Sequence, residues 1–334
     1  MRWFRALRVD SRNSGQLDPP VAGNFANRVS TFYADDQFKG KPIRVRYLWN
    51  ALTAPHWEQA FSDDGGKTWE NQLGNGFHAD AMRDETCCPV VELRQYALVP
   101  GRCDVLISLF EQHFIESQEA TGMTVIGQFR DLNNPDRFVW LRGFADMVSR
   151  ARQLEEFYGG PIWKKYREAA NATMIDSDNV LLLRPARTNS GFGLEKLKRP
   201  PHGNKEDSNG LVVATMYHLS GNTHVDFLRF FECTLEPKLT SPSGSILATF
   251  VSENHPNTFP ALPVREGVNV FVLFSHFADR GSYEQHAAIF THSISGNGVA
   301  EKPSTLIKGR AEVLLLAPTS RSLLRRERPN QPRR

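Results

Sequence analysis

The sequence predicts an α+β protein: two tandem βαββαβ units packed into one barrel and preceded by a partial antiparallel β segment. Three observations lead there. From Val90 onward the periodicity runs strand, helix, strand, strand, helix, strand, and this order occurs twice. Two strings recur in matching positions: FVWLRGFAD (138–146) with FVLFSHFAD (271–279), and LLLRPA (181–186) with LLLAPT (314–319). Such recurrence in the same order and role reads as internal duplication. Before Val90 the chain consists of short β-branched and aromatic runs cut by turn signals.

The elements follow in order. Over 1–75, strands are expected at Phe25–Tyr33, Ile43–Trp49 and His56–Phe61, with Ile43, Val45 and Tyr47 alternating with Arg44, Arg46 and Leu48. Residues 76–89 have neither period and read as a linker. The first unit, 90–186, opens with strand VVELRQYALV and the Pro100-Gly101 turn. A helix carrying Val105, Leu106, Leu109, Phe110 and Phe114 on one stripe follows, with Gly122 as its C-cap. Strands MTVIGQFR and RFVWLRGF, a helix through Met147, Leu154 and Phe157, and strand NVLLLRPA complete it. Residues 187–210, rich in Gly, Pro, Lys and Asn, read as an exposed linker. The second unit, 211–320, repeats the order, and 321–334 read as a basic, disordered tail.

At 334 residues the chain has room for two or three domains, and 40% apolar and 23% charged residues are ordinary globular usage. The net charge of +3 is too small to predict a specific nucleic-acid footprint. No apolar run approaches the ~20 residues of a membrane span, and the Arg-containing N-terminus lacks the apolar core of a secretory signal. Cys87, Cys88, Cys103 and Cys233 form no CxxC pair, and adjacent cysteines bridge each other poorly, so free thiols in a reducing cytoplasm are expected.

A βαββαβ unit is a ferredoxin-like sheet with helices on one face. Alternation in the first unit puts Val91, Leu93, Val125, Phe129, Val139 and Leu141 on one side, expected under the helices. Glu92, Arg94, Tyr96, Gln128, Arg130, Trp140, Arg142 and Phe144 fall on the other, expected to line the barrel interior. Arginines could clamp a carboxylate or phenolate oxygen there, with aromatic rings stacking on the ligand. The open face of the second unit is read as Ala214, Met216, His218, Thr249, Val251, Leu273, Ser275 and Phe277. His218, matched to Tyr96, is the candidate catalytic base; His113 and His276 read as structural. Plain packing of the two faces, with arginines paired to Glu92, stands as the alternative to a pocket.

CPVVELRQYALVPGRCDVLISLFEQHFIESQEATGMTVIGQFRDLNNPDRFVWLRGFADM, with FYGGPIW and DNVLLLRPA after it, resembles the NIPSNAP family. NTFPALPVREGVNVFV and EVLLLAPTSRSLL resemble the companion half of two-repeat bacterial members. The resemblance implies a dimeric α-β barrel shared with monooxygenase-like and haem-degrading proteins. It implies no settled reaction; cofactor-independent oxygenation fits such a fold, the arginines and aromatic rings of the polar face suit a small, anionic, aromatic molecule, and homo-oligomers are an open option. A non-catalytic scaffold with a filled barrel is the alternative, and haem handling through His113 or His218 a third. TFYADDQFKGKPIRVRYLWN and HWEQAFSDDGGKTWE resemble the C-terminal half of a lipocalin-like family, which implies a half-barrel that docks, self-associates or is poorly ordered. SDDGGKTW (62–69) fits a hairpin-forming Asp-box, a structural motif.

Overall fold

Alternating β-branched and aromatic residues make strands, and strands with apolar faces on both sides make buried sheets. The computed structural model describes residues 3–6, 21–26, 29–38, 41–50, 56–62, 64, 70–71, 87–204, 210–221, 223–239, 244–295 and 303–325. Residues 1–83 and 84–334 are separate units.

In the first unit, β1 (Trp3–Ala6), β2 (Val21–Ala26), β3 (Val29–Phe38), β4 (Lys41–Asn50), β5 (His56–Ser62) and β6 (Glu70–Asn71) form one sheet in chain order. The single strand expected over Phe25–Tyr33 is two, with Ala26 paired to Val29. On β4 the alternation appears as a buried Val45 beside an exposed Arg44. Within the Asp-box, Ser62 Oγ donates to Asp64 Oδ1 at 2.6 Å; residues 65–69 lie outside the described set, as do 76–86 of the expected linker.

In the second unit, β7 (Val90–Leu98) leads to α1 (Cys103–Leu109), a π-helical turn at Phe110–Phe114 and α2 (Ile115–Glu119). Gly122, at φ 94°, ends this helix as a C-cap glycine should. β8 (Thr124–Asp131), β9 (Asn134–Phe144), α3 (Met147–Gly159), α4 (Pro161–Asn171) and β10 (Met174–Pro185) follow. Then come β11 (Leu211–His218), α5 (His224–Phe230), a second π-helical turn at Phe231–Leu235 and α6 (Glu236–Leu239). β12 (Gly244–Ser252), β13 (Val270–Phe277), α7 (Arg280–Ser295), α8 (Pro303–Leu306) and β14 (Glu312–Pro318) complete the unit. The eight strands pair antiparallel in the order β10-β12-β13-β11-β14-β8-β9-β7, and β7 pairs with β10 to close the barrel. No helix among the described residues is long and apolar enough to cross a membrane.

The barrel interior is apolar. Val91, Leu93, Val139, Leu141, Val212, Val272, Phe274 and Leu316 belong to one buried cluster drawn from both halves. This reverses the expected facing: the apolar set fills the barrel, while Tyr96, Trp140 and Phe144 pack under the helices with Leu106, Phe110 and Phe157. The physical reason is hydrogen bonding. Under the helices the polar set meets Gln118 and Arg150, while on the barrel side the buried Gln95 amide is directed at the Met216 sulfur. Val125 leaves its expected companions because a bulge between Val125 and Gly127 shifts the register of β8. In the second half, Thr215 pairs with Leu273, so Ala214 and Met216 face the barrel while Leu273 and Phe277 face the helices. The open face read for that half is therefore two faces.

Two further expectations are corrected. The 187–210 segment is not simply exposed, because Phe192 and Leu194 insert into the barrel core. The start of the basic tail is ordered: Arg321 is 4% exposed, and Leu324 also joins the core. Residues 326–334 lie outside the described residues. The sulfur atoms of the adjacent Cys87 and Cys88 are in contact, and Cys103 and Cys233 are free.

Candidate functional site

Beneath the helices of the first half, three guanidinium groups surround one carboxylate. Glu92 on β7 accepts from Arg94 Nη1 (2.7 Å) and Arg142 Nε (2.8 Å) at Oε2, and from Arg150 Nε (2.7 Å) at Oε1. All four side chains are fully buried. Strand pairing builds most of the cluster: Glu92 lies opposite Arg142 and Arg94 opposite Trp140 on the β7–β9 ladder. Helix α3 adds Arg150, one turn after its N-cap Asp146.

The surrounding shell fixes each guanidinium plane. Arg94 Nε donates to Tyr96 Oη (2.8 Å), and Arg142 Nη1 to Gln118 Oε1 (3.0 Å). Arg150 Nη1 donates to Asn257 Oδ1 (3.0 Å) and Thr258 Oγ1 (3.1 Å), both from the β12–β13 loop of the second half. The Arg142 guanidinium carbon lies 5.0 Å from the Trp140 ring centre and 5.6 Å from that of Phe144, within cation–π range. Phe259, from the same loop, stacks on Tyr158 at 5.8 Å and 19°.

Charge in the cluster does not balance. Burial alone would push the Glu92 carboxyl up, but Arg142, Arg94 and Arg150 outweigh it and hold it well below the ordinary carboxylate range. One carboxylate against three guanidiniums leaves two positive charges in excess. Arg94 Nη2, Arg142 Nη2 and Trp140 Nε1 are buried and find no hydrogen-bond partner among the described residues. Tyr96, Gln118 and Trp140, which contact these arginines, also wall a cavity of about 30 Å³ with Phe110, Tyr158 and Trp163; the arginines themselves are not in its lining.

Of the residues predicted from sequence, Arg94, Tyr96, Trp140, Arg142 and Phe144 come together here, on the helix side of the sheet. Gln128 is buried on that same side, opposite Trp140, without a partner for its amide among the described residues. Arg130 is not in the cluster; it is half-exposed and pairs with Asp104. His218 is distant in topology as well as role. Its neighbour Tyr217 holds the Tyr96 position, as Tyr96 pairs with Phe138 and Tyr217 with Phe271 in matching register, and His218 lines a surface depression with His224, Asn269 and Lys308. His113 stacks on Tyr166 at 3.8 Å, the packed role expected of it. Among the described residues no group of His, Cys, Asp or Glu is placed to hold a metal ion. Arg150, Gln118 and Asn257 were missed. For the first two a signal existed: each places a polar side chain on an apolar stripe, 147-150-154-157 and 110-114-118.

Residues 91–189 match the NIPSNAP family model, a span that holds the whole cluster except the Asn257–Phe259 loop. No curated protein matches the chain. Among solved structures, a monooxygenase-like protein of Fusobacterium nucleatum subsp. nucleatum is similar at 10% identity and TM-score 0.44, over 72% of this chain and 99% of that one. A second, from Lactobacillus acidophilus, is similar at 13% identity and TM-score 0.43, over 70% and 94%. An uncharacterised NIPSNAP domain protein from Burkholderia xenovorans is similar at 16% identity and TM-score 0.27, over 29% and 93%.

Proposed function

We propose that the chain binds a small, planar, anionic and aromatic molecule between the sheet and the helices of its first half, as a two-repeat NIPSNAP protein of the monooxygenase-like kind. The observation that carries this reading is the buried excess of two positive charges, with guanidinium donors of Arg94 and Arg142 unpartnered and separated from an aromatic-walled cavity by the Tyr96, Trp140 and Gln118 side chains they contact. Uncompensated buried charge costs several kcal/mol, and a bound carboxylate or phenolate removes that cost. Tyr96, held by Arg94 at 2.8 Å, is the hydroxyl best placed to exchange a proton with such a ligand. The cavity has room for about one water, so binding involves outward movement of a wall. The Gly159-Gly160 junction between α3 and α4, which carries Tyr158 and Trp163 on either side, is the hinge for it.

Titration of the full chain with benzoate tests this. Benzoate binds and benzyl alcohol does not. Arg142→Gln weakens benzoate roughly tenfold or more, the value of one charge-assisted hydrogen bond. Arg130→Ala leaves it unchanged, since Arg130 is paired to Asp104 outside the cluster. Equal benzoate affinity in Arg142→Gln and the parent chain refutes the site.

The filled barrel supports a second reading. With Val91, Leu93, Phe250 and Phe274 occupying its centre, the barrel itself is a structural core, as a non-catalytic interaction protein requires. Absence of binding by benzoate, salicylate and acetate alike favours that reading.

A further inference from the structure

The two halves carry the same sheet, yet the space under the second half's helices is chemically unlike the first. Register makes the comparison residue by residue. Val90 faces Phe144 in the first half and Leu211 faces Phe277 in the second, and each Phe is followed two residues later by an Asp N-cap, Asp146 or Asp279. On that register Glu92 corresponds to Val213, Arg94 to Thr215, Arg142 to Ser275 and Arg150 to Tyr283, while Tyr96 keeps its counterpart in Tyr217. Every charged member of the cluster is replaced by a neutral one.

The exchange also opens space. Three long guanidinium side chains give way to shorter or neutral ones, and the cavity here is about 270 Å³ against about 30 Å³ in the first half. Its described lining holds Tyr217, Leu273 and Phe277 as apolar wall, and the hydroxyls of Thr215, Ser275 and Tyr283. No Asp, Glu, Lys or Arg is among those lining residues. His286, the one imidazole in the lining, is buried against Phe277 at 5.3 Å, and burial pushes it toward its neutral form. A mostly apolar concavity with a few convergent hydroxyls is the form of a small-molecule site, and its volume sits just under the ~300 Å³ at which drug-sized pockets begin.

We infer that the second half holds a separate binding site for an uncharged, one- or two-ring molecule bearing a hydroxyl or carbonyl oxygen. This site stands independently of anion binding in the first half. A charged ligand is disfavoured because no opposite charge in the described lining offsets its desolvation.

The probe is 2-naphthol, titrated calorimetrically into the full chain, with 2-naphthoate as its charged counterpart. One equivalent of 2-naphthol binds. Ala311→Trp, which fills the cavity from a half-buried loop position, weakens it roughly tenfold or more, and Ser275→Ala, which removes one hydroxyl, weakens it several-fold. Arg142→Gln leaves 2-naphthol binding unchanged, which separates this site from the first. Circular dichroism checks the fold of each variant; if Ala311→Trp does not fold, Ser275→Ala carries the decision. No binding of 2-naphthol, binding indifferent to both variants, or binding lost with Arg142→Gln instead would overturn the inference.

Discussion

At the scale of single residues, Glu92 decides whether the first half's cluster holds. It is the one carboxylate among three buried guanidiniums, so removing it strands all of them. Glu92→Gln should lower stability by about 3–5 kcal/mol, read from urea unfolding, the cost of leaving one side of a buried ion pair alone. The pH dependence has a definite sign. Glu92 is held below its ordinary value of 4.5 in the fold, so its contribution is complete above that value. It is lost as pH falls, because the unfolded chain takes up a proton that the folded one refuses. Between about pH 6 and pH 3 the parent chain should lose stability more steeply than Glu92→Gln. Sequence alternation identified Arg94, Tyr96, Trp140, Arg142 and Phe144 as sharing a face, and they do. It could not say which face, since both sides of a barrel sheet are covered and period two is blind to what covers them. The clue that lay unused was on the helices, where Gln118 and Arg150 break apolar stripes because they face buried charge.

At the scale of elements, two connections do more than their composition suggests. The 187–210 segment is Gly-, Pro-, Lys- and Asn-rich, which reads as exposed loop, yet two of its residues, Phe192 and Leu194, enter the barrel core. Averaged composition hides a pair of apolar anchors. Phe192, 1% exposed and 5.0 Å from the Phe274 ring, should cost about 3–5 kcal/mol when changed to Ala, measured by thermal or urea unfolding. The β12–β13 loop likewise gave no local signal, because its role is set by the other half of the chain. It holds Arg150 through Asn257 and Thr258 and covers Tyr158 with Phe259. Asn257→Ala should therefore weaken benzoate binding a few-fold at the first half's site, although residue 257 lies 107 positions from Arg150. Titration of that variant beside Arg142→Gln checks whether the second half completes the first half's site. The long, strongly periodic elements were legible throughout; what was not legible is contact at large sequence separation.

At the scale of the barrel, closure rests on two seams, β10 with β12 and β14 with β8, and the seams match. Each has three paired positions, against eight on the β7–β9 and β11–β13 ladders. Each ends on a proline, Pro185 or Pro318, supplied by the recurring LLLRPA and LLLAPT strings. Proline has no N–H to give a ladder, and each sits where its seam needs none, at a non-hydrogen-bonded pair. The bonds run on either side of it: Glu253 N–H donates to Leu182 O at 2.8 Å and Ala186 N–H to Thr249 O at 3.0 Å in one seam, Leu132 N–H to Leu315 O at 2.8 Å and Thr319 N–H to Gln128 O at 2.9 Å in the other. Short ladders open at lower free energy than long ones, because fewer hydrogen bonds and less buried area are lost. Hydrogen exchange followed by mass spectrometry should then show seam amides such as Val251 and Arg130 exchanging before those of Leu93 and Val272 at the ladder centres. Because the Pro318 nitrogen points away from β8, replacing Pro318 with Ala should leave exchange across β14–β8 unchanged relative to β10–β12. Uniform exchange over all eight strands would mean instead that the barrel opens as one cooperative body, with the seams no weaker than the sheets they join.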